Sequence, residues 1–177
     1  MKKLHLGCGK VYIPGFTHVD LMDFDHVDYR IPANDLSVFE NDSVDLIYAC
    51  HILEHFKRGE VVGVLKEWFR VLKPGGILRI SVPGFEEMVA IYQKHGDLKL
   101  ILGPLVGGQT YLYNFHYMVF DFKLLSSFLR EAGFSTTRRY DWRETEHANI
   151  DDYSQAYIPH MDKENGMPMS LNVEAVK

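Results

Sequence analysis

Cysteine is scarce in this chain: its 177 residues include only Cys8 and Cys50. Small secreted domains that depend on disulfide bonds need more, so that class is excluded. No apolar run approaches the ~20 residues of a membrane span, and the first residues lack the apolar stretch of a signal peptide. We therefore expect a cytoplasmic protein without membrane contacts, in which both cysteines are small reduced hydrophobes.

Excess positive charge is also absent. Lysine and arginine number 19 against 24 aspartates and glutamates, which gives a net charge of −5. Such a balance cannot build a strongly basic surface, so duplex nucleic acid is not an expected partner. The chain is 46% hydrophobic and shows no internal repeat, so a single globular domain over residues 1–177 is predicted.

Apolar runs alternate with helical patterns, which predicts an α/β fold with a largely parallel sheet. We expect a doubly wound, Rossmann-like sheet of seven strands, with the last strand antiparallel, in a three-layer α/β/α sandwich. The predicted strands are residues 3–6, 16–20, 26–29, 44–49, 77–82, 134–142 and 169–176. The predicted helices are residues 58–72, with apolar positions at helical spacing, 86–95, and one that Asp121 caps and Gly133 ends.

Two stretches fall outside this alternation. Residues 96–120 are rich in glycine and aromatic residues, and residues 143–168 are polar. Long segments without obvious regular structure are typical of lids and binding loops. Because ligands bind beyond the carboxyl ends of parallel strands, we expect both segments to be insertions on the substrate side.

A glycine pair follows the first strand. Gly7 and Gly9 allow a sharp turn and close approach to a ligand, and peptide N–H groups there suit a carboxylate or phosphate. Asp20 ends the next strand, where its carboxylate suits two adjacent ribose hydroxyls. A nicotinamide dinucleotide site needs a third glycine and an acid about 20 residues on. Val11 and Tyr12 stand where that glycine would be, so another nucleoside cofactor fits better.

Four segments together resemble class I S-adenosylmethionine-dependent methyltransferases, and in particular methyltransferases of unassigned substrate. They are residues 4–9 (LHLGCG), 19–21 (VDL), 42–56 (DSVDLIYACHILEHF) and 71–83 (VLKPGGILRISVP). The resemblance covers about residues 3–83. It implies S-adenosylmethionine as cofactor, with S-adenosylhomocysteine as the product.

The resemblance also implies roles for individual residues. Residues 7–9 would line the methionine part of the cofactor, Asp20 would hold the ribose and Leu21 would pack on the adenine. Asp35 and Leu36 would hold the adenine edge. Ala49, Cys50 and His51 would face the sulfonium and the acceptor.

The family's third glycine is absent here, and the link after Cys8 contains Pro14. That link is too short for an ordinary crossover helix, so we expect one helical turn or none.

The run from His51 to His55 allows several interpretations. Its His-x-x-Glu-His pattern occurs in inverted zinc peptidases, but those place it on a long helix, whereas here a strand precedes it. It is also similar to the Glu-x-x-Glu-His run with which some O-methyltransferases hold a divalent ion. His51, Glu54 and His55 would then bind a metal, with His116 completing the site. Alternatively, Glu54 and His55 cap and brace the next helix, so a divalent metal is possible but not expected.

Methyl transfer to a hydroxyl group needs little beyond alignment and a base. His51 is the first candidate for that base, because the fold places it beside the methyl group, and His116 is the second. His147 is a further candidate. His116 alternatively is a hydrogen-bonded core residue, and His147 alternatively is a solvated loop histidine, which is the interpretation we prefer for it.

The predicted function is therefore methyl transfer from S-adenosylmethionine to a small-molecule acceptor, at oxygen. A different class of function, suggested by the shortened first crossover, is a degraded cofactor-binding module that serves as a regulator or complex subunit.

Overall fold

The protein contains a seven-stranded sheet and four α-helices, as described by a computed structural model of residues 1–177. The sheet strands are β1 Lys3–Leu6, β2 Thr17–Asp20, β3 Tyr29–Arg30, β4 Val44–Cys50, β5 Leu72–Pro83, β6 Thr136–Arg139 and β9 Ser170–Val176. Their order is β3-β2-β1-β4-β5-β9-β6, and β9 runs antiparallel to both of its neighbours. The predicted fold class is confirmed.

The predicted strands differ from the observed ones mainly at their ends. β3 starts at Tyr29, so the predicted third strand is displaced toward the C-terminus. β5 starts at Leu72, and its pairing with β4 is irregular where Lys73–Gly76 intervenes. The Pro-Gly-Gly turn therefore lies within an extended segment directly after the helix, instead of forming a separate loop.

Helices cover one face of the sheet. They include α1 Val61–Val71, which buries apolar side chains at helical spacing, and α4 Phe122–Ala132. Asp121 caps α4 by accepting the Leu124 N–H at 2.6 Å, and Gly133, at φ +114°, ends it, both as predicted. Both helices pack on the largest apolar cluster, which the inward faces of the central strands complete.

Irregular chain covers the opposite face of the central strands. Along β4, Leu46 and Tyr48 alternate with side chains of the main core and instead pack against Ile13 and Phe16. No helix occurs between β1 and β2, as the short link predicts. This face of the sheet therefore lacks the helix that usually covers it. Loop residues such as Ile150 pack against the apolar side chains there instead.

α2 spans Phe85–His95, which confirms the helix predicted before the first insertion. The two predicted insertions also contain some regular structure, and in the first α3 spans Lys99–Val106, where the sequence pattern predicted no helix. Ile101 of α3 packs with Met88 and Ile91 of α2. The second insertion contains a separate antiparallel pair of strands, β7 Tyr157–Ile158 and β8 Met167–Pro168. No helix in the structure is both long and apolar enough to cross a membrane.

Candidate functional site

A cavity of about 800 Å³ opens beyond the carboxyl ends of β1 and β4. Gly7, Cys8 and Gly9 line it after β1, and Cys50 and His51 line it at the end of β4. Both insertions contribute to its wall: Gly103, Pro104, Gly108, Tyr111, Asn114 and His116 come from the first, and Asp151, Asp152, Tyr153, His160 and Met161 from the second. The topology thus joins distant segments in the place where parallel α/β sheets bind ligands.

The glycine loop is sharply turned, as predicted. Gly7 and Gly9 adopt φ values of +60° and +53°, in the left-handed region that favours glycine. Its peptide N–H groups are not free, however. The N–H of Gly7 donates to the Val19 carbonyl oxygen at 2.8 Å, and the N–H of Gly9 donates to Asp20 Oδ2 at 2.8 Å. The turned loop therefore allows a ligand to approach the backbone closely. The expectation that its peptide N–H groups are unpaired and can bind an anion is wrong at Gly7 and Gly9.

Asp20 braces this loop from the end of β2. Its side chain is mostly buried, and its second oxygen, Oδ1, accepts the Met22 N–H at 2.7 Å. Asp20 does not itself line the cavity, but its partner Gly9 does. Each carboxylate oxygen accepts one peptide N–H and retains a further lone pair for a ligand hydroxyl.

The remaining residues that the resemblance assigns to the cofactor lie outside the cavity lining. Leu21 is exposed next to Asp20, and Ala49 is fully buried within β4. Leu36 is also fully buried, and its N–H donates to Glu67 Oε1 of α1 at 2.9 Å. Asp35 is exposed, and hydrogen bonds from the Ser37 side chain and from the Ser37 N–H, which Oδ1 accepts at 3.1 Å, lower the pKa of its carboxyl.

His51 occupies a constrained position at the cavity wall. Its φ of +51° is uncommon for a residue with a side chain. The Ser170 hydroxyl donates to the Tyr153 carbonyl oxygen at 2.6 Å, so His51 Nε2, at 2.9 Å, must be the donor to Ser170 Oγ. Burial lowers the pKa of His51 to about 3, with the neighbouring His116 and His55 contributing. The neutral ring therefore carries its lone pair on Nδ1.

A carboxylate and two imidazoles meet next to His51. Ligand atoms of Glu54, His55 and His116 lie within 4.8 Å of one another. Glu54 is fully buried, neither of its carboxyl oxygens has a hydrogen-bond partner, and burial raises its pKa to about 8. Nδ1 of His55 donates to the Phe115 carbonyl at 3.0 Å, and Nδ1 of His116 donates to the Pro104 carbonyl at 2.8 Å.

His147 is not the solvated loop histidine that the sequence predicts. Its side chain is buried against Tyr48 and Phe16, at ring-centre distances of 4.4 and 6.0 Å, because its segment covers the sheet face that lacks a helix. Neither of its ring nitrogens has a partner, and burial lowers its pKa. It does not line the cavity.

Several cavity residues carry no motif signal. Asp152 accepts the Tyr48 hydroxyl at 2.5 Å, and the Tyr153 ring stacks on His51 at 5.1 Å. Lys10 and His160 also line the cavity. Among these residues, only Lys10 could have been predicted as a cavity residue, because it directly follows the glycine pair in sequence.

The strand order and the position of the cavity define the class I methyltransferase fold. In agreement, residues 17–80 match the family model described as "Methyltransferase domain". No curated protein matches the chain in sequence. This match supports the resemblance to S-adenosylmethionine-dependent methyltransferases over that part of the chain.

Solved structures support the same fold. An S-adenosylmethionine-dependent methyltransferase from Archaeoglobus fulgidus is 15% identical, with a TM-score of 0.61 over 99% of this chain and 86% of the other. One from Methanosarcina mazei is 19% identical, with a TM-score of 0.59 over 99% and 92%. A Burkholderia thailandensis 1,6-didemethyltoxoflavin N1-methyltransferase is 15% identical, with a TM-score of 0.58 over 99% and 70%. Its structure contains 1,6-didemethyltoxoflavin and S-adenosylhomocysteine.

Proposed function

We propose that this protein transfers the methyl group of S-adenosylmethionine to an oxygen atom of a small-molecule acceptor. The observation that carries the proposal is the glycine loop, which Asp20 braces and which opens into a cavity walled by imidazoles. The sulfonium is already an activated methyl donor, so alignment of donor and acceptor is the main task of the protein.

We propose that the cofactor lies across the carboxyl ends of β1 and β4. The amino-acid part would follow residues 7–9, with the Lys10 ammonium next to its carboxylate and Cys50 near the sulfonium. Asp20 would accept the ribose hydroxyls on its remaining lone pairs. Because the Leu36 N–H is already paired with Glu67, the adenine edge would depend on the exposed carboxylate of Asp35, with Leu21 against the ring face.

The acceptor would occupy the part of the cavity formed by the insertions. Tyr111 and Tyr153 offer ring faces there, and Asn114 and Asp152 offer polar groups. A flat acceptor with at least one hydroxyl fits this chemistry. The Burkholderia structure, which contains a flat heterocycle together with S-adenosylhomocysteine, supports a small acceptor on this fold.

Calorimetric titration tests the cofactor assignment. We expect S-adenosylmethionine and S-adenosylhomocysteine to bind with one site per chain and NAD not to bind, because the loop lacks the third glycine of a pyrophosphate site. Binding of NAD alone would overturn the proposal in favour of dinucleotide chemistry. Absence of binding by both sulfur compounds would favour a degraded module.

Two glycine variants separate cofactor contact from backbone strain. Gly9 and Gly15 both have positive φ, and an added Cβ at either would meet no atom within 4 Å. Only Gly9 lines the cavity. Gly9→Ala and Gly15→Ala should each destabilise the fold by about 1–2 kcal/mol because of left-handed strain. Only Gly9→Ala should weaken S-adenosylmethionine binding, by about tenfold or more, which corresponds to about 1.4 kcal/mol or more.

Calorimetry and urea unfolding on both variants give the two quantities needed. Equal affinities in Gly9→Ala and Gly15→Ala would mean that the cofactor does not approach the glycine loop.

A further inference from the structure

A buried carboxyl group without a hydrogen-bond partner lies next to two half-buried imidazoles at the cavity wall. We propose that Glu54, His55 and His116 bind a divalent transition-metal ion, with zinc as the best match. This site goes beyond the proposed methyl transfer, and its test measures metal binding directly.

The state of Glu54 is the first argument. Its side chain is inaccessible to solvent, yet neither Oε1 nor Oε2 accepts a hydrogen bond. Buried polar groups are nearly always paired, and an unpaired one costs about 1–3 kcal/mol. His51 Nδ1 is 3.5 Å from Oε1 and does not hydrogen-bond to it. A cation between this carboxylate and the two imidazoles would supply the missing partner.

The orientation of the two histidines is the second argument. Each Nδ1–H is fixed by a backbone carbonyl, of Phe115 for His55 and of Pro104 for His116. The neutral rings therefore carry their lone pairs on Nε2. Metal-ligating histidines almost always donate the other ring N–H to such an acceptor, which fixes tautomer and ring orientation.

The spacing of the three side chains fits a metal after a small contraction. Their ligand atoms lie within 4.8 Å of one another. Tetrahedral ligands at about 2.1 Å from zinc are about 3.4 Å apart, so each side chain must move by roughly an ångström or less. The segments that carry Glu54 and His116 are already hydrogen-bonded to each other, because the Tyr117 N–H donates to the Glu54 carbonyl at 2.8 Å.

The donor set determines the kind of ion. Two imidazoles and one carboxylate favour zinc or another transition ion, whereas magnesium prefers oxygen ligands. Three protein ligands leave at least one coordination position open. Because His55 and His116 line the cavity, that position would be accessible to water or to a bound molecule. His51 is not among the side chains whose ligand atoms lie within 4.8 Å of one another, so we do not assign it as a ligand.

The test uses the full chain after removal of metals with a chelator. We expect calorimetry to detect one tight Zn²⁺ per chain and weak binding of Mg²⁺, and Co²⁺ to give the visible absorption of a low-symmetry site. Glu54→Gln, which preserves side-chain shape, and His116→Gln should each lower Zn²⁺ affinity. Each loss should exceed the about 10–100-fold typical of an outer-shell partner.

His160→Gln is the matched control, because His160 is an exposed histidine at the same cavity and outside the trio. It should bind Zn²⁺ like the original chain, and thermal melting should show that all three variants fold. Less than one Zn²⁺ per chain, unchanged affinity in both ligand variants, or an equal loss in His160→Gln would overturn the metal site. S-adenosylmethionine binding by the metal-free chain separates this result from the proposed function, because the cofactor site uses other residues.

Discussion

His51→Ala should lower the rate of methyl transfer about 100-fold and leave the affinity for S-adenosylmethionine unchanged. The ring is neutral and its Nδ1 lone pair is available, because Nε2–H donates to Ser170. General-base assistance is typically worth about 10²–10⁴-fold. Its pKa of about 3 makes His51 a weak proton acceptor, so the lower end of that range is expected. Single-turnover assays with methyl-labelled cofactor and a panel of phenols and flat hydroxylated heterocycles would measure the rate.

Two further variants distinguish a base from a structural side chain. Ser170→Ala removes the acceptor of the His51 Nε2–H, so that the neutral ring can carry its proton on either nitrogen. This variant should lower the same rate by a smaller factor, because Nδ1 would carry the lone pair in only part of the molecules. His160→Ala removes another histidine from the cavity wall and should leave the rate unchanged. If His51→Ala transferred the methyl group at the original rate, the base would have to be a different group, with His116 next to be tested.

The central strands could be predicted from sequence because their burial leaves a strong signal. β4 is mostly apolar on both faces, which is typical of a strand buried between parallel neighbours, and β5 has an apolar face of Leu78, Ile80 and Val82. The glycine pair, Asp20 and the run from His51 to His55 then follow strand ends. Their convergence at one edge of the sheet is a consequence of parallel topology.

α3 could not be predicted because its own sequence disfavours a helix. It contains Gly103 and Pro104, both poor residues in a helix interior, and its apolar positions lack clear periodicity. It forms because Ile101 packs on α2 in a separate apolar cluster. Tertiary packing of this kind commonly overrides local propensity.

The Glu54, His55 and His116 cluster was only partly predictable. Glu54 and His55 are adjacent in sequence, but four elements, α1, β5, α2 and α3, lie between them and His116. Whether His116 reaches them depends on contacts with the carbonyls of Pro104 and Phe115, and no periodicity in the sequence predicts these contacts. The same applies to His147, which is buried only because the sheet lacks a helix there.

Trp68→Ala should destabilise the protein by about 3–5 kcal/mol, the usual cost of truncating a large buried aromatic residue. Trp68 is fully buried in the main core, on the face of α1 against the sheet. Its Nε1–H also donates to the Ala33 carbonyl at 2.6 Å. Urea unfolding at constant pH would measure the loss, and Trp142→Ala, in a short helix that has no buried residues, should cost less.

Trp68→Phe connects this core contact to the site. Phenylalanine retains most of the apolar volume but leaves the Ala33 carbonyl without its donor, a loss of about 1–3 kcal/mol. The segment that carries Ala33 also carries Asp35 and Leu36, and α1 holds it through Glu67 and Trp68. If Asp35 contacts the adenine, Trp68→Phe should weaken S-adenosylmethionine binding as well as stability. A stability loss with unchanged affinity would mean that this segment supports the core but does not contact the cofactor.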